Sequence, residues 1–293
     1  MVSPQDVHRP TLESLYKLPP EMLAAQHTVA SCVSYWGDCD TEARYDAKGG
    51  HPLYGKTDIT YEMNGHGYRC PEFDVPREDR FIVVVVGCSN TKGVGLPVHE
   101  TYVDLFAHMV EREIGRPVLA FNLGQGGTTN DKIALRAFSA VRFLTPDFLV
   151  VQWTHMNRSV YVDPENRVYD WWSLSEEEAR HPADDQTRQK VKYFEHVQNK
   201  WLDAHRYLTV TRTAGLALSR NPAVGFIQHR MFRSSTTPWD RQLDPRYTIM
   251  HAVAQGPVMA RDHDHRGRDA HREVAQTLFE RFSEWHKALR RTA

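Results

Sequence analysis

The chain has 293 residues, 41% of them hydrophobic and 25% charged, with 36 lysines and arginines against 37 aspartates and glutamates. That length and mixture suit a globular protein of one large or two small domains with a sizeable core. A formal net charge of −1 excludes broad attraction to nucleic acid or anionic membranes, and no apolar run approaches the roughly 20 residues that span a bilayer.

The first residues, Met1 to Asp6, lack the basic and apolar regions of a signal peptide, so a cytoplasmic location is expected. Residues 1–79 carry prolines at 4, 10, 19, 20, 52, 71 and 76 and glycines at 37, 49, 50, 55, 65 and 67. This pattern predicts an irregular extension packed on a main domain of residues 80–293. The four cysteines, Cys32, Cys39, Cys70 and Cys88, form no paired CxxC motif. Reduced thiols are the expectation, with a Cys32–Cys39 bridge as the alternative.

From Arg80 the pattern changes. Residues 80–87 are a β-branched run that predicts a buried strand. Tyr102, Leu105, Phe106, Met109 and Val110 recur at helical spacing, and Gly115-Arg116-Pro117 ends that helix. A second strand is predicted over 117–122, a helix over 130–143 and a third strand over 148–153. Residues 163–187 are polar and read as a loop or lid. A long helix is expected over 188–218, with Val191, Phe194, Val197, Trp201, His205 and Leu208 on one face. A fourth strand follows over 223–228, then an irregular span over 230–260 and a final helix over 268–289. Strands alternating with helices favour a parallel sheet covered on both faces.

The chemistry-bearing residues collect after strands. Ser89 follows the first, in Gly87-Cys88-Ser89-Asn90-Thr91-Lys92-Gly93. A glycine-rich loop, Asn122 to Thr129, follows the second. Gln152-Trp153-Thr154-His155-Met156-Asn157-Arg158 closes the third, and Arg261-Asp262-His263-Asp264-His265 precedes the last helix. The carboxyl ends of parallel strands are where such folds hold ligands.

These blocks resemble those of the SGNH (GDSL-like) hydrolase superfamily over roughly residues 80–285. Gly87 to Gly93 is similar to that family's Gly-Asp-Ser block, with Cys88 in place of the aspartate. Gly127 matches the second block, and Asp262-His263-Asp264-His265 matches the terminal Asp-x-x-His. The third block, usually Gly-x-Asn-Asp, is represented only by Asn157.

The resemblance implies a three-layer α/β/α sandwich with a mainly parallel, flavodoxin-like sheet. It also implies a serine hydrolase that cleaves an ester or thioester through an acyl-Ser89 intermediate. His265 would be the base and Asp262 the orienting acid. The oxyanion would meet donors from Ser89, Gly127 and Asn157, with Thr154 or Gln152 as alternative third donors. No metal or cofactor is implied. The implied substrate is a small-molecule or carrier-bound acyl ester, with no nucleic-acid partner.

Other readings remain open at this level. An acyltransferase would use the same acyl-enzyme, and a non-catalytic binding protein would use the same scaffold. Ser89 could simply cap a helix, and Cys88 could be a rival nucleophile. Asp264 could be the orienting acid in place of Asp262. Asp262, His263, Asp264, His265 and His271 could together hold a metal, although their spacing is no known metal signature. The glycine loop could cradle phosphate, but it is neither a GxGxxG nor a Walker loop. Trp171, Trp172 and Trp239 are candidates for a substrate cleft, and Arg158, Arg230, Arg233 and Arg241 for an anionic ligand.

Overall fold

A computed structural model describes residues 31–37, 39–162, 168–171, 176–221, 224–230, 250–251 and 258–292. The extension, expected to be irregular, contains two short strands, β1 (Ser31–Val33) and β2 (Tyr61–Met63), paired antiparallel around helix α1 (Glu42–Ala47). Tyr54, Ile59, Tyr61 and Met63 pack with Leu96 and Ala260 in one apolar cluster.

The main domain begins with β3 (Phe81–Gly87), which leads into the short helix α2 (Ser89–Lys92). Helix α3 (Tyr102–Ile114) starts at Thr101, whose hydroxyl accepts the Asp104 N–H, and ends at Gly115 in the left-handed region. Then come β4 (Val118–Gly124), α4 (Asn130–Leu144) and β5 (Phe148–Trp153). Strand β6 (Ser159–Val162) pairs antiparallel with β7 (Val168–Trp171), and β7 and a short helix α5 (Glu176–Arg180) fall within the stretch expected to be a loop. Helices α6 (Asp185–His196) and α7 (Lys200–Ser219) precede β8 (Gly225–Arg230), β9 (Met250–His251) and the terminal helix α8 (Arg268–Thr292).

The helix expected over 188–218 is therefore two. Asn199 breaks it, because its side-chain oxygen accepts the N–H groups of Trp201 and Leu202 and caps α7, a role asparagine fills well. The expected apolar face fails with it, since Trp201 is 83% exposed while Asp203, Tyr207, Thr211, Ala214, Gly215 and Leu218 are the buried positions of α7.

Five strands form one parallel sheet in the order β4-β3-β5-β8-β9. Counted along the chain from β3 this is 2-1-3-4-5, the flavodoxin-like order. Side chains alternate across the sheet. Phe81, Val83 and Val85 of β3 meet α3 and α8 through Phe106, Val110, Val274, Leu278 and Phe282. Ile82, Val84 and Val86 meet α4 and α7 through Ile133, Ala137, Ala214 and Leu218. Burial on both faces explains why β3 and β5 read as unbroken apolar runs. The chain is thus an α/β/α three-layer sandwich. No helix among the described residues is long and apolar enough to cross a membrane, and all four cysteines are free.

Candidate active site

The chain order reverses between β3 and β5, which places a crevice at the carboxyl ends of these strands. Ser89 sits there as the first residue of α2. Its N–H belongs to the first turn of a helix and has no intrahelical acceptor. The turn is tight: a Cβ on Gly87 would come within 1.9 Å of Thr91 Oγ1 and 2.9 Å of Gln152. Behind the turn, Thr91 Oγ1 bonds Tyr102 OH at 2.8 Å and also Gln152 Oε1, which fixes α2 against the sheet. Cys88 is buried and its thiol faces Gln152 Oε1, so it is a packing residue behind the serine.

The loop after β4 is stitched to the same turn. Gln125 N–H donates to the Gly87 carbonyl at 3.0 Å. Asn122 donates through Nδ2 to the Thr91 carbonyl at 2.7 Å and accepts the Gly124 N–H at 3.0 Å. Gly127 follows with φ +67° and no heavy atom near where a Cβ would lie, so its backbone faces open space.

His265 reaches Ser89 from the far end of the chain. Its Nε2 lies 2.7 Å from Ser89 Oγ, and its Nδ1 is bonded to Asp262 Oδ2. The other carboxylate oxygen, Oδ1, accepts the N–H groups of Asp264 at 3.1 Å and His265 at 3.0 Å. Burial opposes charge on Asp262, but the His265 bonds outweigh it and hold its carboxyl below the usual carboxylate range. Burial likewise lowers His265, yet its bonds to Asp262 and Cys39 lift the imidazole well above its usual 6.5.

The loop holding Asp262 is docked by Gly95 and Arg261. Gly95 has φ +76°, and a Cβ there would crowd Ala260 Cβ at 2.8 Å and the Arg261 nitrogen at 3.0 Å. Its carbonyl accepts the Arg261 N–H at 2.9 Å. The fully buried Arg261 guanidinium donates to Asp40 through Nε at 3.0 Å and Nη2 at 2.7 Å, and to the carbonyls of Lys56 and Ser34. The bidentate pair is the strong arrangement for a carboxylate and guanidinium. The extension therefore clamps the loop that carries the acid and the imidazole.

The other sequence candidates have different places. Asp264 is on the surface in an ion pair with Arg44 at 2.8 Å, so Asp262 is the acid against His265. His263 has φ +58° and its ring lies 3.1 Å from the Gly50 carbonyl. His271 is buried and accepts the Tyr102 N–H through Nδ1 at 2.9 Å; burial, helped by the positive charges of His265 and Arg69, drops it to about 3. The five residues weighed as a metal cluster thus do not converge.

Asn157 is exposed on the turn after β5, with its carbonyl accepting Gln198 Nε2. Thr154 is pinned by its N–H to Asn130 Oδ1 at 2.9 Å, while its buried Oγ1 and Gln152 Nε2 have no hydrogen-bond partner. Trp172, Trp239, Arg233 and Arg241 lie outside the described residues. Of Trp171 and Arg230 only the strand backbone is described. Arg158 reaches the Thr128 carbonyl at 3.4 Å.

Sequence reasoning missed Cys39, Asp40 and Arg261. Nothing local marks Asp40 as the partner of Arg261 among 37 acidic residues, and the bond crosses 221 positions.

Comparison with protein-family profiles gives no match, and no curated protein matches in sequence. Solved structures similar to this one include a gut microbial diltiazem-metabolizing enzyme, at 15% identity and TM-score 0.30, which covers 71% of this chain and 35% of its own. A catalytic mutant of an acetylxylan esterase from Geobacillus stearothermophilus shares 14% identity at TM-score 0.40, over 68% of this chain and 93% of that one. A protein described as lipolytic and of the G-D-S-L family, from Desulfitobacterium hafniense, shares 9% identity at TM-score 0.29, over 68% and 98%. The chain spans about a third of the first of these. At such identities and TM-scores the likeness carries no activity across.

Proposed function

We propose that this protein is a serine-dependent hydrolase of SGNH type that cleaves ester substrates through an acyl-Ser89 intermediate. The observation that carries the reading is the continuous relay from Ser89 Oγ through His265 Nε2 and Nδ1 to Asp262. A serine hydroxyl needs such a base to attack a carbonyl.

In the first step Ser89 Oγ attacks the carbonyl carbon as its proton passes to His265 Nε2. Asp262 keeps the ring oriented and stabilises the imidazolium. The developing oxyanion is met by the Ser89 and Gly127 N–H groups, with the Asn157 amide as third donor. Each such donor contributes about 3–4 kcal/mol to transition-state stabilisation. His265 then returns the proton to the leaving alcohol, and water repeats the sequence against the acyl-enzyme.

Incubation with a p-nitrophenyl ester and with a serine-directed fluorophosphonate tests this reading. Turnover of the ester and a single adduct on Ser89, lost in Ser89→Ala and reduced in His265→Ala, are expected. Labelling at another residue, or neither labelling nor turnover across short acyl chains, would overturn it.

A further inference from the structure

The hydrolase relay leaves one group at the site without a task. Cys39 comes from the extension, 223 positions before Asp262 in the numbering. It is half-buried, unpaired in any disulfide and close to the His265 imidazole. The Asp40–Arg261 clamp brings it there: Cys39 precedes Asp40, Arg261 precedes Asp262, and the buried bidentate pair sets these two neighbours face to face. The thiol of Cys39, a carboxylate oxygen of Asp262 and a ring nitrogen of His265 all lie within 4.8 Å of one another.

We propose that Cys39, Asp262 and His265 form a binding site for a thiophilic divalent cation of the Zn²⁺ type, and that its occupation switches the hydrolase off. The donor set decides the class of ion. One sulfur, one imidazole nitrogen and one carboxylate oxygen suit zinc-like ions, while magnesium and calcium take oxygen donors. Bonds of about 2.0–2.3 Å at tetrahedral angles hold ligands roughly 3.3–3.7 Å apart. With all three donors already within 4.8 Å of one another, small side-chain movements bring them to such separations, with the fourth position left to water. The ion displaces one proton from the Cys39 thiol and any proton on the ring nitrogen it takes.

Inhibition follows from the occupancy of the ring. Nδ1 is bonded to Asp262 and Nε2 to Ser89. Whichever nitrogen the cation takes, it displaces one of the two bonds that the relay needs. This consequence rests on the hydrolase reading above, whereas the binding site itself does not.

Cobalt(II) tests the site directly, because a thiolate on cobalt gives a near-ultraviolet charge-transfer band. Metal-free full-length protein is titrated with Co²⁺, then Co²⁺ is displaced by Zn²⁺. One Co²⁺ per chain with the charge-transfer band is expected in the wild type and in Ser89→Ala, with loss of the band in Cys39→Ser and at least tenfold weaker Zn²⁺ binding there. Alkylation of the folded wild-type thiols should abolish the band without any substitution, which guards against misfolding of the variant.

Zn²⁺ should also block fluorophosphonate labelling of Ser89, with chelator restoring it. Equal Zn²⁺ affinity in wild type and Cys39→Ser, or bound Co²⁺ without the band, would overturn the site. Unchanged Ser89 labelling in zinc-saturated protein would overturn the switch. Failure of Ser89 to label in metal-free protein would instead count against the hydrolase reading, and the cobalt spectrum would still decide the site.

Discussion

In the proposed mechanism the His265 ring must be neutral to accept the Ser89 proton, and its bond to Asp262 raises its proton affinity. Activity should therefore climb with pH along a limb above the ordinary histidine value of 6.5. A profile of kcat/KM against pH measures it. Asp262→Asn should move the limb to lower pH and cut the rate by about 10⁴-fold, since the ring loses both orientation and the compensating charge. Ser89→Ala should remove activity by a factor on the order of 10⁴ or more in an ester assay. The same raised native value makes protonated His265 stabilising. That contribution is fully present below pH 6.5 and lost as pH rises through the native value. The convergence of Ser89, His265 and Asp262 was legible because each sits in a short block beside a strand end or the last helix. The surroundings of the polar residues after β5 were not, because only packing decides their exposure: Asn157 is exposed while Thr154 and Gln152 are buried.

Among the elements, the loop of residues 260–265 is tied to the extension through the Arg261–Asp40 pair. Asp40→Ala would leave the fully buried Arg261 guanidinium without a counter-charge and should destabilise the protein by about 3–5 kcal/mol in denaturant unfolding. It should also slow fluorophosphonate labelling of Ser89, because the loop that holds His265 loses its clamp. Gly95→Ala acts on the same joint from the other side, combining a φ of +76° with a Cβ 2.8 Å from that of Ala260. Strands β3 and β5 were legible as unbroken apolar runs, since residues buried on both sheet faces leave no polar alternation, whereas β9, two residues inside the span expected to be irregular, was not. The break between α6 and α7 was not, because the apolar spacing of residues 191–208 continues through it and only the Asn199 cap interrupts the helix. The strands of the extension were likewise illegible at three residues each, too short to show a period.

For the molecule as a whole, Lys92 is the conspicuous buried charge. Its Nζ lies 4.0 Å from the Trp36 ring centroid, between the extension and the sandwich. Burial, with the nearby Arg69 and Arg136, lowers it from 10.5 to about 7. Between pH 7 and 10.5 the unfolded chain binds this proton and the native chain does not, so this residue makes stability rise with pH across that window. Lys92→Met should therefore stabilise the protein most at and below pH 7, with the advantage fading towards pH 10.5, as melting temperatures across pH would read. An unchanged difference in Tm from pH 7 to 10.5 would contradict this account.

The Asp40–Arg261 clamp also has a consequence for the order in which the protein comes into being. It closes a loop of 221 positions, an entropic cost of about 5 kcal/mol in the flexible-chain limit. Ser89 and its strand leave the ribosome long before His265, its partner 176 positions further on. Hydrolytic competence should arrive as a late event in refolding, after helix signal has returned, when the two distant ends of the described chain first meet.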